Sequence, residues 1–240
     1  DLLMDFPRTQ LGELSGLENV DISSQGSFKI VGNLDELLGE GAFKLNGKLG
    51  NMPVSAPSIN IGYKDQMLSS NGDVSFGKTG HGSYQISIKE DLTDLNGDFE
   101  LNNVPMYVPQ SFSSDVEELK GKLFASGKVW GSSQDPRAKV SARLDNGSVF
   151  IPMLNTKYED IHAKVKASEK TIDLEHFEMR SVLDQPMDRK GVMTASGSYD
   201  LNERGEFTCT MTEFLLSNTA QSVLSLSGTL NLDASTYLSQ

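Results

Sequence analysis

The sequence predicts an all-β fold: a long, strongly coiled antiparallel sheet folded into a taco-like trough, with an apolar interior and only minor short helices. Three observations predict it. Apolar and polar residues alternate with period 2 through most of the chain, long helical patterns are nearly absent, and a degenerate glycine-centred repeat recurs along its length. Alternation that keeps one face wet marks antiparallel sheet rather than buried parallel sheet.

Residues 1–24 read as an irregular or short helical lead-in. There "TQLGELSGLEN" spaces Leu11, Leu14 and Leu17 three apart, although its two glycines disfavour helix. Residues 25–240 read as one elongated β domain. "SINIGYK" alternates through Ile59, Ile61 and Tyr63, and "GSYQISIKE" sets Tyr84, Ile86 and Ile88 against Gln85, Ser87 and Lys89. "SFSSDVEELKG" offers a Ser or Asp cap before Val116 and Leu119, hence a turn or two of helix. Further on, "DIHAKVKAS" sets Ile161, Ala163, Val165 and Ala167 against His162, Lys164 and Lys166.

The repeat appears as "FKLNGKL", "SSNGDVSF", "DLNGDFEL", "FASGKVW", "TASGSYDL" and "LSLSGTLNL". Each places a small or polar residue before a glycine, then a polar residue, then an apolar one. Asn-Gly is the usual two-residue hairpin turn, so phase decides each case. A turn at Asn46-Gly47 mixes the faces, whereas a straight strand keeps Phe43, Leu45, Gly47 and Leu49 together. The same holds for Leu95-Gly97-Phe99-Leu101 and Leu224-Leu226-Gly228-Leu230-Leu232. At Asn146-Gly147 a turn pairs Leu144 with Val149, Ala142 with Ile151 and Val140 with Met153, which predicts a hairpin; Asn71-Gly72 is ambiguous.

Mid-strand glycines cost stability unless they solve a geometric problem. The problem proposed here is curvature: a sheet bent sharply about its apolar side leaves no room for side chains at the bend. Gly47, Gly97, Gly127, Gly197 and Gly228 are the expected bending positions. The expected groove liners are Leu45, Leu49, Leu95, Phe99, Leu123, Val129, Leu144, Val149, Ile151, Tyr199, Leu226 and Leu230. A filled β-sandwich or barrel satisfies the same periodicity.

Composition narrows function by exclusion. With 33 acidic and 21 basic residues the net charge is -12, and no run of Lys and Arg exists to neutralise phosphates, so nucleic acid is not an expected partner. No stretch approaches the roughly 18 consecutive apolar residues of a membrane-spanning helix. The start has no initiator Met and no export-signal pattern, so an anchor is expected outside these residues. The single cysteine, Cys209, sits in phase with Phe207 and Met211 and reads as an apolar core residue.

Chemical motifs are few. "GDVSFGKT" (Gly72 to Thr79) satisfies the phosphate-loop string, but that motif needs a following helix and a strand pattern follows instead. The three histidines, His81, His162 and His176, lack partners at metal-ligand spacing. "GHGS" is unaccompanied by a nucleophile-elbow motif. "DLTDLNGDFE" puts Leu92 at the first position of a calcium loop and fails it. "NGS" at Asn146 is a glycosylation sequon, and "PMYVPQSF" reads as a cap or rim contact. No catalytic residue, metal or cofactor is expected.

From about Phe99 to Asp233 the chain resembles the TamB family of AsmA-like, bridge-like lipid-transfer proteins. "FELNNVPMYVP" resembles the family's strand and "vPl" segment. The run "LKGKLFASGKVWGSSQDPRAKVSARLDNGSVFIPMLNTKYEDIHAKV" resembles its glycine-rich repeat, hairpin and "t-x-Y-x-d-I" strand. "KGVMTASGSYDL" and "LSLSGTLNL" resemble its recurring strands. The resemblance implies a non-enzymatic segment of a periplasm-spanning protein in a diderm bacterial envelope, tethered to the inner membrane by a segment elsewhere. It implies phospholipid acyl chains as cargo, an Omp85-type outer-membrane barrel as partner, and a role in outer-membrane protein assembly. Two other readings stay open: a chaperone-like scaffold that binds client strands by edge augmentation, and a filled structural β domain.

Overall fold

The computed structural model describes residues 2–10, 20–33, 36–106, 116–182, 191–201, 204–219 and 223–235. Fourteen strands follow one another: β1 (Leu2–Gln10), β2 (Val20–Asn33), β3 (Glu36–Leu49), β4 (Met52–Lys64), β5 (Met67–Phe76), β6 (Gly80–Lys89) and β7 (Leu95–Pro105). Then come β8 (Glu117–Gly131), β9 (Pro136–Ile151), β10 (Thr156–Ala167), β11 (Thr171–Val182), β12 (Gly191–Asp200), β13 (Arg204–Asn218) and β14 (Val223–Ser235). They form one open antiparallel sheet in strict sequence order, each strand hydrogen-bonded to the next. The expected all-β class and antiparallel pairing are observed.

Contacts divide the chain into two compact units, Asp1–Pro105 with Ala125–Ala138, and Met106–Phe124 with Lys139–Gln240. Part of the expected lead-in is strand, since β1 pairs with β2. Leu11, Leu14 and Leu17 lie outside the described residues, as do residues 107–115 of "PMYVPQSF" and "SFSSD". Leu119 belongs to β8, so the short helix expected around it is absent there. A lone 3-10 turn, Pro152–Leu154, is the one helical element among the described residues.

The Asn-Gly steps do not make the turns. Asn46-Gly47, Asn71-Gly72 and Asn96-Gly97 lie inside β3, β5 and β7, while β4 and β5 turn on Asp65-Gln66, both at positive φ. The hairpin expected at Asn146-Gly147 is also absent, because β9 runs through it. Asn146 takes a left-handed φ of 52°, and the pairing of β9 with β10 slips in register here. That is a β-bulge, which adds one residue to one strand and inverts its alternation. A two-residue turn inverts alternation too, so the phase change read from the sequence is real but has a different cause.

Candidate functional site: an apolar sheet face

Directly opposed residues of an antiparallel pair point to the same face, so the register carries face identity from strand to strand. In the first unit, Phe6 opposes Gly26, Gly26 opposes Phe43, and Phe43 opposes Ile59. Further along, Ile59 opposes Gly72, Gly72 opposes Tyr84, and Tyr84 opposes Phe99. Followed across β1 to β7, the paired positions of this face are apolar residues, glycines, Ser24, Ser70 and Thr9, with no charged residue. The reverse face carries Lys44, Asn46, Lys48, Asp98 and Glu100, all exposed.

The second unit repeats the arrangement. Leu144 opposes Ala163, which opposes Phe177; Phe177 opposes Ala195, and Ala195 opposes Cys209. Cys209 in turn opposes Leu230. Its paired positions are likewise uncharged, and Cys209 shares this face with Phe207 and Met211 as its phase predicts, although it is half-buried rather than in the core. Salt bridges gather on the other face. Arg143 meets Asp145 at 2.9 Å, and Glu175 receives Lys164 at 2.7 Å and also Lys166. Those two ammonium groups hold the Glu175 carboxyl below the usual carboxylate range. His162 lies 3.8 Å from Asp145 on that polar side.

Glycines on the apolar face stand opposite large side chains. A Cβ at Gly97 would lie 2.9 Å from the Gln85 carbonyl oxygen and 3.2 Å from Ile86 Cγ1, its partner across the ladder. Gly47 and Gly197 meet Ile22 and Phe207 in the same way. At Gly26 the consequence is visible, because the rings of Phe6 and Phe43, on the strands flanking it, meet at 5.5 Å between centroids. Gly228 differs: a Cβ there would touch nothing within 4 Å, and its φ of 152° is the feature that favours glycine. Gly127 is half-buried on β8.

In the second unit the sheet turns back on this face. β10 and β13 are three strand spacings apart, about 14 Å in a flat sheet, yet the rings of Tyr158 and Phe214 stack at 5.4 Å and 10°. The Tyr158 hydroxyl donates to the Leu216 carbonyl at 3.2 Å. Burial pushes the Tyr158 phenol upward from its ordinary pKa. Leu144, Val149 and Ile151 pack against the cluster of Tyr158, Ile161 and Phe214, together with Phe177, Met179 and Met193. In the first unit, Met52, Val54, Ala56 and Val104 are the buried apolar side chains.

The structure therefore places the expected liners as follows. Leu45, Leu49, Leu95 and Phe99 are half-buried on the apolar face of the first unit, and Val129 is half-buried on β8. Leu144, Val149, Ile151 and Tyr199 share the apolar face of the second, with Leu123 half-buried on β8. Leu226 and Leu230 lie on edge strand β14 and are 39% and 47% exposed. Sequence reasoning missed Phe177, Met179 and Tyr158, because bulges near Asp160 and Glu175 shift β10 and β11 out of simple alternation; Met193, in phase with Tyr199 on β12, was legible from alternation and was passed over.

"GDVSFGKT" folds as the end of β5, a turn, and the approach to β6, so no helix N-terminus faces its glycines. Among the described residues no three His, Cys, Asp or Glu converge as a metal site. No described helix is long and apolar enough to cross a membrane. No protein-family model, curated protein or solved structure matches the chain.

Proposed function

We propose that the apolar face takes up phospholipid acyl chains, and that this chain is a non-enzymatic segment of a TamB-like envelope protein. In this reading the sheet of each unit coils into a taco-like trough about its uncharged face. The protein conducts phospholipid between inner and outer membranes and supports outer-membrane protein assembly, with an Omp85-type barrel as partner. The family reading rests on the motifs between Phe99 and Asp233. The carrying observation is independent of it: paired positions of one face in each unit are uncharged. Such a face suits a chain of methylenes, each contributing about 0.8 kcal/mol on leaving water, and it offers few directional contacts to a headgroup.

Native mass spectrometry with lipid extraction tests this. The parent should carry phospholipid, and Phe99→Asp/Tyr199→Asp, one change in each unit, should lose it while keeping a β-type circular dichroism spectrum. A parent purified free of lipid, from cells and after incubation with phospholipid vesicles, would contradict the proposal.

A further inference from the structure

The apolar face of the second unit is a ladder of rows whose two ends are built differently. Ile172 opposes Tyr199, which opposes Gly205; Leu174 opposes Gly197, which opposes Phe207. Next come Phe177, Ala195 and Cys209, then Met179, Met193 and Met211. The last row is Tyr158, Ser181 and Gly191. At the first end Ile172 is 38% exposed, whereas at the last Tyr158 is 3% exposed and Ser181 and Phe214 are fully buried.

The last row is closed by its rings. Ser181 and Gly191 are small and leave room above the sheet, and a Cβ at Gly191 would lie 2.6 Å from the Phe214 Cα. Phe214 fills that room and reaches across to stack on Tyr158. Hydrogen bonds hold residues 215–218 of β13 down on the chain beneath. The Leu215 N–H donates to Ser181 Oγ at 3.0 Å, and the Tyr158 hydroxyl donates to the Leu216 carbonyl. The Asn155 side-chain amide donates to the Asn218 carbonyl at 2.7 Å.

We propose that the Tyr158–Phe214 stack is the end wall of an acyl-chain site. A chain lies along the strands, enters from the Ile172–Tyr199 end, and sets its terminal methyl against Met179, Met193 and Met211. The inference rests on the acyl-chain reading above and adds the limit of the site. Length supports it. From Met193 to Tyr199, β12 spans about 20 Å at about 3.4 Å per residue. One acyl chain crosses half of the roughly 30 Å hydrocarbon core of a bilayer, about 15 Å, so it fits within the rows without passing the wall. The methionine row before the wall suits a chain end of variable position, because Met is unbranched and repacks around irregular apolar shapes.

Photo-crosslinking of the whole chain tests this with two phospholipids, one bearing a diazirine at the terminal carbon of an acyl chain and one beside the ester. Terminal adducts should favour Met179, Met193 and Met211 over Ile172 and Tyr199 at least five-fold, and the ester-proximal probe should reverse that ratio. Phe214→Leu keeps an apolar side chain but removes the ring, and should raise terminal adducts on Tyr158 at least five-fold, with circular dichroism checking the fold. Equal labelling of both ends by both probes overturns the end wall; so does a folded Phe214→Leu with no gain at Tyr158. In either case adducts at Tyr84 and Phe99 would leave the lipid reading standing. No adduct on the apolar face of either unit overturns both. The comparison of probes in the parent decides the matter even where the variant fails to fold.

Discussion

A glycine opposite a large side chain is the recurring unit of this molecule. Gly26 with Phe43, Gly97 with Ile86 and Gly197 with Phe207 each let a ring or branched chain lie across the neighbouring strand. The sequence placed Gly97 and Gly197 mid-strand on the apolar side and read them as positions where the sheet bends; Gly26 was not among the glycines it singled out. It did not show which side chain does the crowding, because that depends on register between strands rather than on alternation within one. The effect is testable at Gly97. Gly97→Val forces Cβ toward the Gln85 carbonyl and should destabilise by about 1–3 kcal/mol, the usual range for overpacking, lowering the melting temperature by several degrees. Asn96→Ala, on the exposed face beside it, should leave the melting temperature almost unchanged. Equal shifts in thermal melts would remove crowding as the reason for glycine.

At the scale of elements, strands were legible and their irregularities were not. Period-2 alternation identifies a strand, but a parity inversion is shared by a turn and a bulge. Asn146-Gly147 was therefore expected as a hairpin and proved to be a bulge within β9. The helix turn expected around Leu119 gives way to strand for a related reason: local signals favoured a turn of helix, and a place in β8 overrode them there, while the Ser and Asp caps lie outside the described residues. Bulges at Asn146, Asp160 and Glu213 raise local twist where the second unit brings Tyr158 onto Phe214. Tyr158→Phe removes the hydrogen bond to Leu216 and should cost about 1 kcal/mol at neutral pH. The sign of its pH dependence follows from burial. The folded pKa is raised, so stability is intact below the ordinary value of 10.0 and falls as pH climbs through the folded pKa. The gap between parent and variant should therefore narrow above pH 10 in urea melts, and a constant gap would contradict the assignment.

For the whole molecule, the antiparallel class and the separation of faces were readable because every strand repeats them. Leu45, Leu95 and Phe99 were assigned to one face from alternation, and register joins them there. The edges were not readable, since nothing in the pattern of Leu224 to Leu232 says whether another strand covers it. The order of the strands was hidden too, yet once known it is the simplest available, each strand beside its successor. Among the described residues one open sheet carries an uncharged face in each unit, and the proposed lipid reading is built on that. Photo-crosslinking with a phospholipid bearing a diazirine in its acyl chain tests it most directly, with adducts mapped by peptide mass spectrometry. The account predicts adducts at Leu45, Tyr84, Phe99, Phe177 and Tyr199, and none at Lys44, Glu100 or Lys164 on the reverse face. Adducts spread equally over both faces, or none on the apolar one, would contradict it.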